Sequence, residues 1–108
     1  MARALINVPA KAKRGDLIEI KTLIQHEMET GFRPDNMGRR IPRDIITDFV
    51  CKYNGEEIFR AELHPAIAAN PFFVFTTVAT DSGTLSFEWT GDNGFSASET
   101  AKIGRAHV

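Results

Sequence analysis

The sequence predicts an all-β fold, an immunoglobulin- or fibronectin-like antiparallel β-sandwich of about seven strands. Three observations lead there. Apolar and polar residues alternate along most of the chain, and no window long enough for a substantial helix carries the i, i+3, i+4, i+7 pattern. Clusters of Gly, Asn, Asp and Pro cut the alternation into short runs. One of those clusters, Asn54-Gly55, is the strongest short hairpin signal, because a type I′ turn needs positive φ at both central residues.

The elements follow in order. Ala4 to Val8 reads as a first strand stopped by Pro9, and Gly15-Asp16 then turns the chain into Leu17 to Gln25. In that second strand Leu17, Glu19, Lys21 and Leu23 share one face and Ile18, Ile20, Thr22 and Ile24 the other, so the β-branched face is expected in the core. After a long loop, Ile45 to Tyr53 and Glu56 to Leu63 flank Asn54-Gly55 as a hairpin. His64 to Pro71 begins and ends with an X-Pro pair, poor for a strand and suited to a crossover between sheets. Phe72 to Ala79, Thr84 to Thr90 and Phe95 to Ile103 complete the set, separated by Asp81-Ser82-Gly83 and Gly91-Asp92-Asn93-Gly94. Residues 1–103 form one expected domain, and Gly104 to Val108 read as a tail or a cloning remnant.

With 108 residues and 43% hydrophobic content, a single core burying roughly 65% of the unfolded surface is attainable without staples. Thirteen Lys and Arg against fourteen Asp and Glu, with a pI near 6.3, create no field that would draw nucleic acid or a lipid surface. One cysteine, Cys51, excludes an internal disulfide framework and a cysteine-rich zinc site. The opening residues carry too short an apolar run for a signal peptide, and no run approaches the ~20 apolar residues of a membrane span. Composition taken alone therefore points to a soluble cytoplasmic protein.

Catalytic signatures are sparse. G-x-S-x-G, P-loop, H-E-x-x-H and C-x-x-C motifs are absent. His26, His64 and His107 lack the close spacing that preorganises a metal, so neither a metal nor a cofactor site is expected. Cys51 with histidines elsewhere is a weak nucleophile signature. Its place between Val50 and Lys52, on the face shared by Phe49 and Tyr53, favours a buried structural thiol. Glu27/Glu29 and Glu56/Glu57 read as ordinary solvated charge. Phe72, Phe73, Val74 and Phe75 make an almost continuous apolar strand, as core packing or an outer face covered by a partner would require.

The unusual segment is the long loop, His26 to Phe32 and on to Pro42. Roughly 15 residues is too long for a hairpin turn in a compact domain, and such loops tend to be functional. It gathers Arg33, Arg39, Arg40 and Arg43 with Met28, Phe32, Met37 and Ile41. Arg, Met and aromatic residues are enriched at interface centres, which favours an interaction surface over a solvated loop. Anion binding by the guanidinium forks is the lesser reading.

The opening strands joined through Pro9 and Gly15-Asp16, the run His26-x-Met28-Glu29-Thr30-Gly31-x-Arg33, the following Ile41-Pro42 and the Asn54-Gly55 hairpin together resemble the SoxZ family, over residues 1 to about 103. The resemblance implies a non-catalytic, sulfur-compound-binding scaffold subunit of the SoxYZ carrier of bacterial thiosulfate oxidation. Its partner would be a SoxY-type subunit holding sulfur intermediates on a cysteine near a flexible glycine-rich C-terminus. This chain has no Gly-Gly-Cys-Gly-Gly, so Cys51 is not expected to be the carrier thiol. The resemblance further implies a heterodimer, transient contacts with other sulfur-oxidising enzymes, and a periplasmic location reached with a partner that carries the export signal. Met28, Phe32, Arg33, Met37, Arg39 and Arg40 are the expected residues of the partner contact, with the arginines also placed to accommodate an anionic sulfonate. Two competing readings are a small thiol-dependent sulfur-transfer or redox enzyme using Cys51, and a stand-alone anion-binding module.

Overall fold

In the computed structural model, which describes residues 3–105, two sheets face each other, antiparallel throughout except for one short parallel pairing. One has the order β1-β3-β6 and the other β2-β8-β7-β4-β5. The strands are β1 (Ala4–Asn7), β2 (Lys11–Ala12), β3 (Leu17–Ile24), β4 (Ile46–Tyr53), β5 (Glu56–Glu62), β6 (Phe72–Val78), β7 (Gly83–Gly91) and β8 (Ser96–Arg105). This is the immunoglobulin-like sandwich expected from the alternation.

Each expected strand is present, and β2 is additional. Pro9 has no N–H to offer a ladder, and the chain leaves the three-stranded sheet there. Two residues later it joins the other sheet, where Lys11 and Ala12 pair parallel to Gly104 and Arg105. A two-residue strand has no alternation to read. That pairing carries β8 two residues past the expected end at Ile103; the rest of the expected tail, residues 106–108, lies outside the described residues.

The hairpin at Asn54-Gly55 has the two positive φ values it needs, 48° and 85°. The segment His64 to Pro71 crosses from β5 in the larger sheet to β6 in the smaller. Burial follows the pleat. Ile18, Ile20, Thr22 and Ile24 of β3 point inward, against Phe49, Cys51, Leu85, Phe87 and Trp89 of β4 and β7. Phe73 and Phe75 of β6 close the core, Phe73 stacking on Phe49 with centroids 5.1 Å apart and Phe75 on Phe59 at 4.2 Å. Two buried polar atoms, Thr22 Oγ1 and Trp89 Nε1, find no hydrogen-bond partner among the described residues.

The other face of β6 settles how its continuous apolar run is used. Phe72, Val74 and Val78 alternate outward and stand about half exposed. They are surface, not core.

Candidate partner interface

The long loop between β3 and β4 is a finger with its own internal ladder. At its base Glu29 and Asp44 exchange backbone bonds of 2.9 and 2.8 Å. Further out, the Ile41 N–H donates to the Arg33 carbonyl at 2.9 Å and the Asp35 N–H to that of Arg39 at 2.6 Å. Asp35 closes the tip. Its Oδ1 accepts from the Met37 and Arg39 N–H groups at 2.8 and 2.9 Å, a local cap that aspartate supplies well.

Three anchors hold the finger to the sandwich. Asn70 of the crossover exchanges bonds with His26, its Oδ1 accepting from the His26 N–H at 2.9 Å and its N–H donating to the His26 carbonyl at 2.7 Å. Arg43 makes a bidentate pair with Asp92 at 2.8 and 2.9 Å, and Asp92 also accepts from the Ile45 N–H at 3.2 Å. The guanidinium donating to Asp92 holds its carboxyl below the usual carboxylate range, and desolvation opposes this only in part.

The third anchor is Met28, and it corrects the expectation that this residue meets a partner. Met28 is 4% exposed, and its sulfur accepts the Ile46 N–H at 3.3 Å. Ile46 sits where the β4–β7 register shifts in a bulge, so its N–H needs a partner outside the ladder. The backbone at Met28 is left-handed, φ 55°, which turns the side chain down into the core. A thioether fits such an irregular gap. Nearby, Gly31 at φ 87° passes so close to Arg43 that an added Cβ would sit 3.0 Å from the Arg43 Cβ.

Of the other expected interface residues, Phe32 and Met37 are 70% and 76% exposed. Arg33 is exposed but pairs with Glu29, whose carboxyl is lowered chiefly by that hydrogen bond. Arg39 lies 3.6 Å from Asp35. Arg40 is exposed, with no ion pair among the described residues. The four arginines therefore do not converge on one anion site, since Arg33, Arg39 and Arg43 each face a carboxylate of their own. What the finger presents is two apolar side chains and one uncommitted guanidinium on a braced loop.

Cys51 is fully buried in mid-β4, and desolvation pushes its thiol up to about 12. A thiol so held is almost never a thiolate near neutral pH, and thiolate is the reactive form. Among the described residues no three His, Cys, Asp or Glu side chains gather as a metal site would need. His26 is engaged rather than free. Its Nδ1 accepts the Met28 N–H at 2.9 Å, and its ring meets that of Phe95 edge-on at 4.8 Å.

Sequence reasoning missed Asp35, Asn70 and Asp92. Each sits in a turn or connection, where Asn and Asp are so common that nothing marks one as the brace of a distant loop.

Comparison with solved structures returns the same sandwich at low identity. A superoxide reductase (neelaredoxin) from Ignicoccus hospitalis is similar with a TM-score of 0.74 and 16% identity, over 95% of this chain and 80% of that one. The sulfur carrier protein SoxY from Chlorobium limicola f thiosulfatophilum is similar with a TM-score of 0.68 and 8% identity, over 96% and 79%. The CARDB domain of a Pyrococcus furiosus protein has a TM-score of 0.53 and 14% identity, over 98% and 94%. At these identities the likeness concerns the fold alone. Curated protein sequences yield no match. A family model described as "Sulphur oxidation protein SoxZ" does match, over residues 6–102. Because that match runs from β1 into β8 and takes in the whole finger, the chain belongs to the SoxZ family of sulphur oxidation proteins.

Proposed function

We propose that this protein is a non-catalytic scaffold subunit that pairs with a SoxY-type subunit to form the carrier of covalently bound sulfur intermediates in thiosulfate oxidation. The observation that carries the reading is the state of Cys51 in a SoxZ-family chain. Its only thiol is sealed in the core with its pKa raised to about 12, so a covalent sulfur carrier has to bring its thiol from another chain. A buried, protonated cysteine likewise argues against a thiol-dependent enzyme. The finger supplies Phe32, Met37 and Arg40 for contacts with the partner or with the enzymes that act on the carrier. The pair works in the periplasm, exported through the partner's signal, and fractionation of cells expressing both subunits tests that placement.

The direct test is co-expression with a SoxY-type subunit, followed by native mass spectrometry with and without reductant. A one-to-one complex insensitive to reductant is the expected result. A chain that stays alone beside a folded SoxY-type subunit refutes the pairing, and a covalent pair released by reductant refutes the inert role of Cys51.

A further inference from the structure

The two outer faces of the sandwich differ in chemistry. On the five-stranded sheet the outward positions of β7 and β8 include Ser86, Glu88, Ser98 and Thr100, and the edge strand β5 carries Glu56, Glu57, Arg60 and Glu62. That face is wetted and that edge is guarded by charge, as edge strands of stable monomers usually are. The three-stranded sheet has neither protection. Its pairing places Leu5, Leu23 and Phe72 in one row across all three strands, with Val74 beside Lys21 in the next register and Leu17 beside Val78 at the far end. Leu5, Leu17 and Phe72 are 59%, 75% and 56% exposed. The charges on this face, Glu19 and Lys21, neutralise each other at 3.5 Å. β6 is also an edge strand, and its sequence, Phe-Phe-Val-Phe-Thr-Thr-Val, contains no charge and no proline.

We infer that the outer face of the β1-β3-β6 sheet is the seat of the SoxY-type subunit, centred on Leu5, Leu23, Phe72 and Val74. This rests on the pairing proposed above and adds its location. The exposed apolar area is of the size that marks an interaction site. Three strands spaced ~4.8 Å and eight residues at ~3.3 Å give a face of roughly 14 by 26 Å. Its protruding apolar side chains expose on the order of 500 Å², at the upper end of what a monomer leaves uncovered. A standard interface takes about 800 Å² from each partner. The face supplies more than half of that, and it leads into a groove lined by Arg3, Leu5, Leu23, Gln25 and Asn70 that extends the contact toward the base of the finger. With Glu19 and Lys21 cancelling and Arg3 at the edge of the groove, its near-neutral charge selects an apolar sheet face on the partner over a strongly charged one.

The test compares the full chain with Val74→Lys and Leu5→Lys, both at exposed outward positions, with Ser98→Lys on the opposite sheet as the charge control. Each is titrated calorimetrically against purified SoxY-type subunit, with a thermal melt to check folding and sedimentation of the chain alone. The expected result is an affinity about 100-fold weaker for Val74→Lys and Leu5→Lys at an unchanged melting temperature, with Ser98→Lys within a few-fold of the parent. Parent-like affinity in both lysine variants overturns the inference while leaving the pairing intact. Absence of binding by the parent chain refutes the pairing itself, and the seat with it. If the chain alone forms a dimer that Val74→Lys dissolves while SoxY binding survives, the face belongs to a second copy and the inference is wrong.

Discussion

Met28→Ala separates an anchoring methionine from one that meets a partner. The substitution removes three heavy atoms from a site 4% exposed and leaves the Ile46 N–H without the sulfur it meets at 3.3 Å. Truncating a buried methionine costs about 2–5 kcal/mol, depending on how far the site collapses. The abandoned N–H adds on the order of 1 kcal/mol, the low end because sulfur is a weak acceptor. No strain is relieved, since alanine at φ 55° keeps a Cβ in the left-handed region. A total of about 3–6 kcal/mol results, a large share of the stability of a small domain. Urea denaturation followed by the fluorescence of Trp89, the single tryptophan and fully buried, measures it. The midpoint should fall with little change in slope. Met28→Leu, which conserves volume but not the acceptor, should cost about 1–2 kcal/mol. A loss below about 1 kcal/mol for Met28→Ala, together with weakened partner binding, would mean that Met28 faces outward and that the anchoring account is wrong.

Four further outcomes follow from the same geometry. Cys51, buried with its thiol raised to about 12, should react with a thiol reagent at neutral pH only as fast as the chain unfolds, and rapid stoichiometric labelling of native protein would contradict the burial. Thr22→Val removes a hydroxyl that has no partner among the described residues and should raise stability by about 1 kcal/mol in chemical denaturation, whereas a loss of that size would reveal a hydrogen bond. Because Asp92 titrates below its usual range beside Arg43, the pair's stabilisation is full above the unfolded carboxylate value near ~4 and is lost as pH falls through the lower folded value. Stability of Asp92→Asn should accordingly change less with pH below ~4 than that of the parent, and parallel profiles would show that the pair contributes nothing to that dependence. Gly31→Ala meets both a left-handed backbone and the Arg43 side chain, so hydrogen exchange at the finger amides of Glu29 and Asp44 should accelerate, and unchanged exchange would show that the loop adjusts freely.

The strand set was legible because strand formation is local. Period-two alternation in β3 assigned Ile18, Ile20, Thr22 and Ile24 to the core, and Asn54-Gly55 marked a turn whose two positive φ values few residue pairs accept comfortably. Cys51 was readable as buried from its place on the face of Phe49 and Tyr53. The His-x-Met-Glu-Thr-Gly-x-Arg run, with the Pro9, Ile41-Pro42 and Asn54-Gly55 signals, points to the SoxZ family from the sequence alone.

Other features could not be read locally. Met28, Phe32 and Met37 look alike in the sequence, yet one is a core anchor and two are exposed. The difference comes from a left-handed turn at Met28 and a bulge in β4, 18 residues away, that leaves the Ile46 N–H to be satisfied. The arginine cluster dissolved in the same way, because Arg43 answers to Asp92, 49 residues distant. The open apolar face needed the pairing of β1, β3 and β6, three segments scattered over the chain, before Leu5, Leu23 and Phe72 became one row. Alternation says which residues share a face of one strand; which faces meet each other, and which is left for a partner, depends on long-range pairing that no short window of sequence contains.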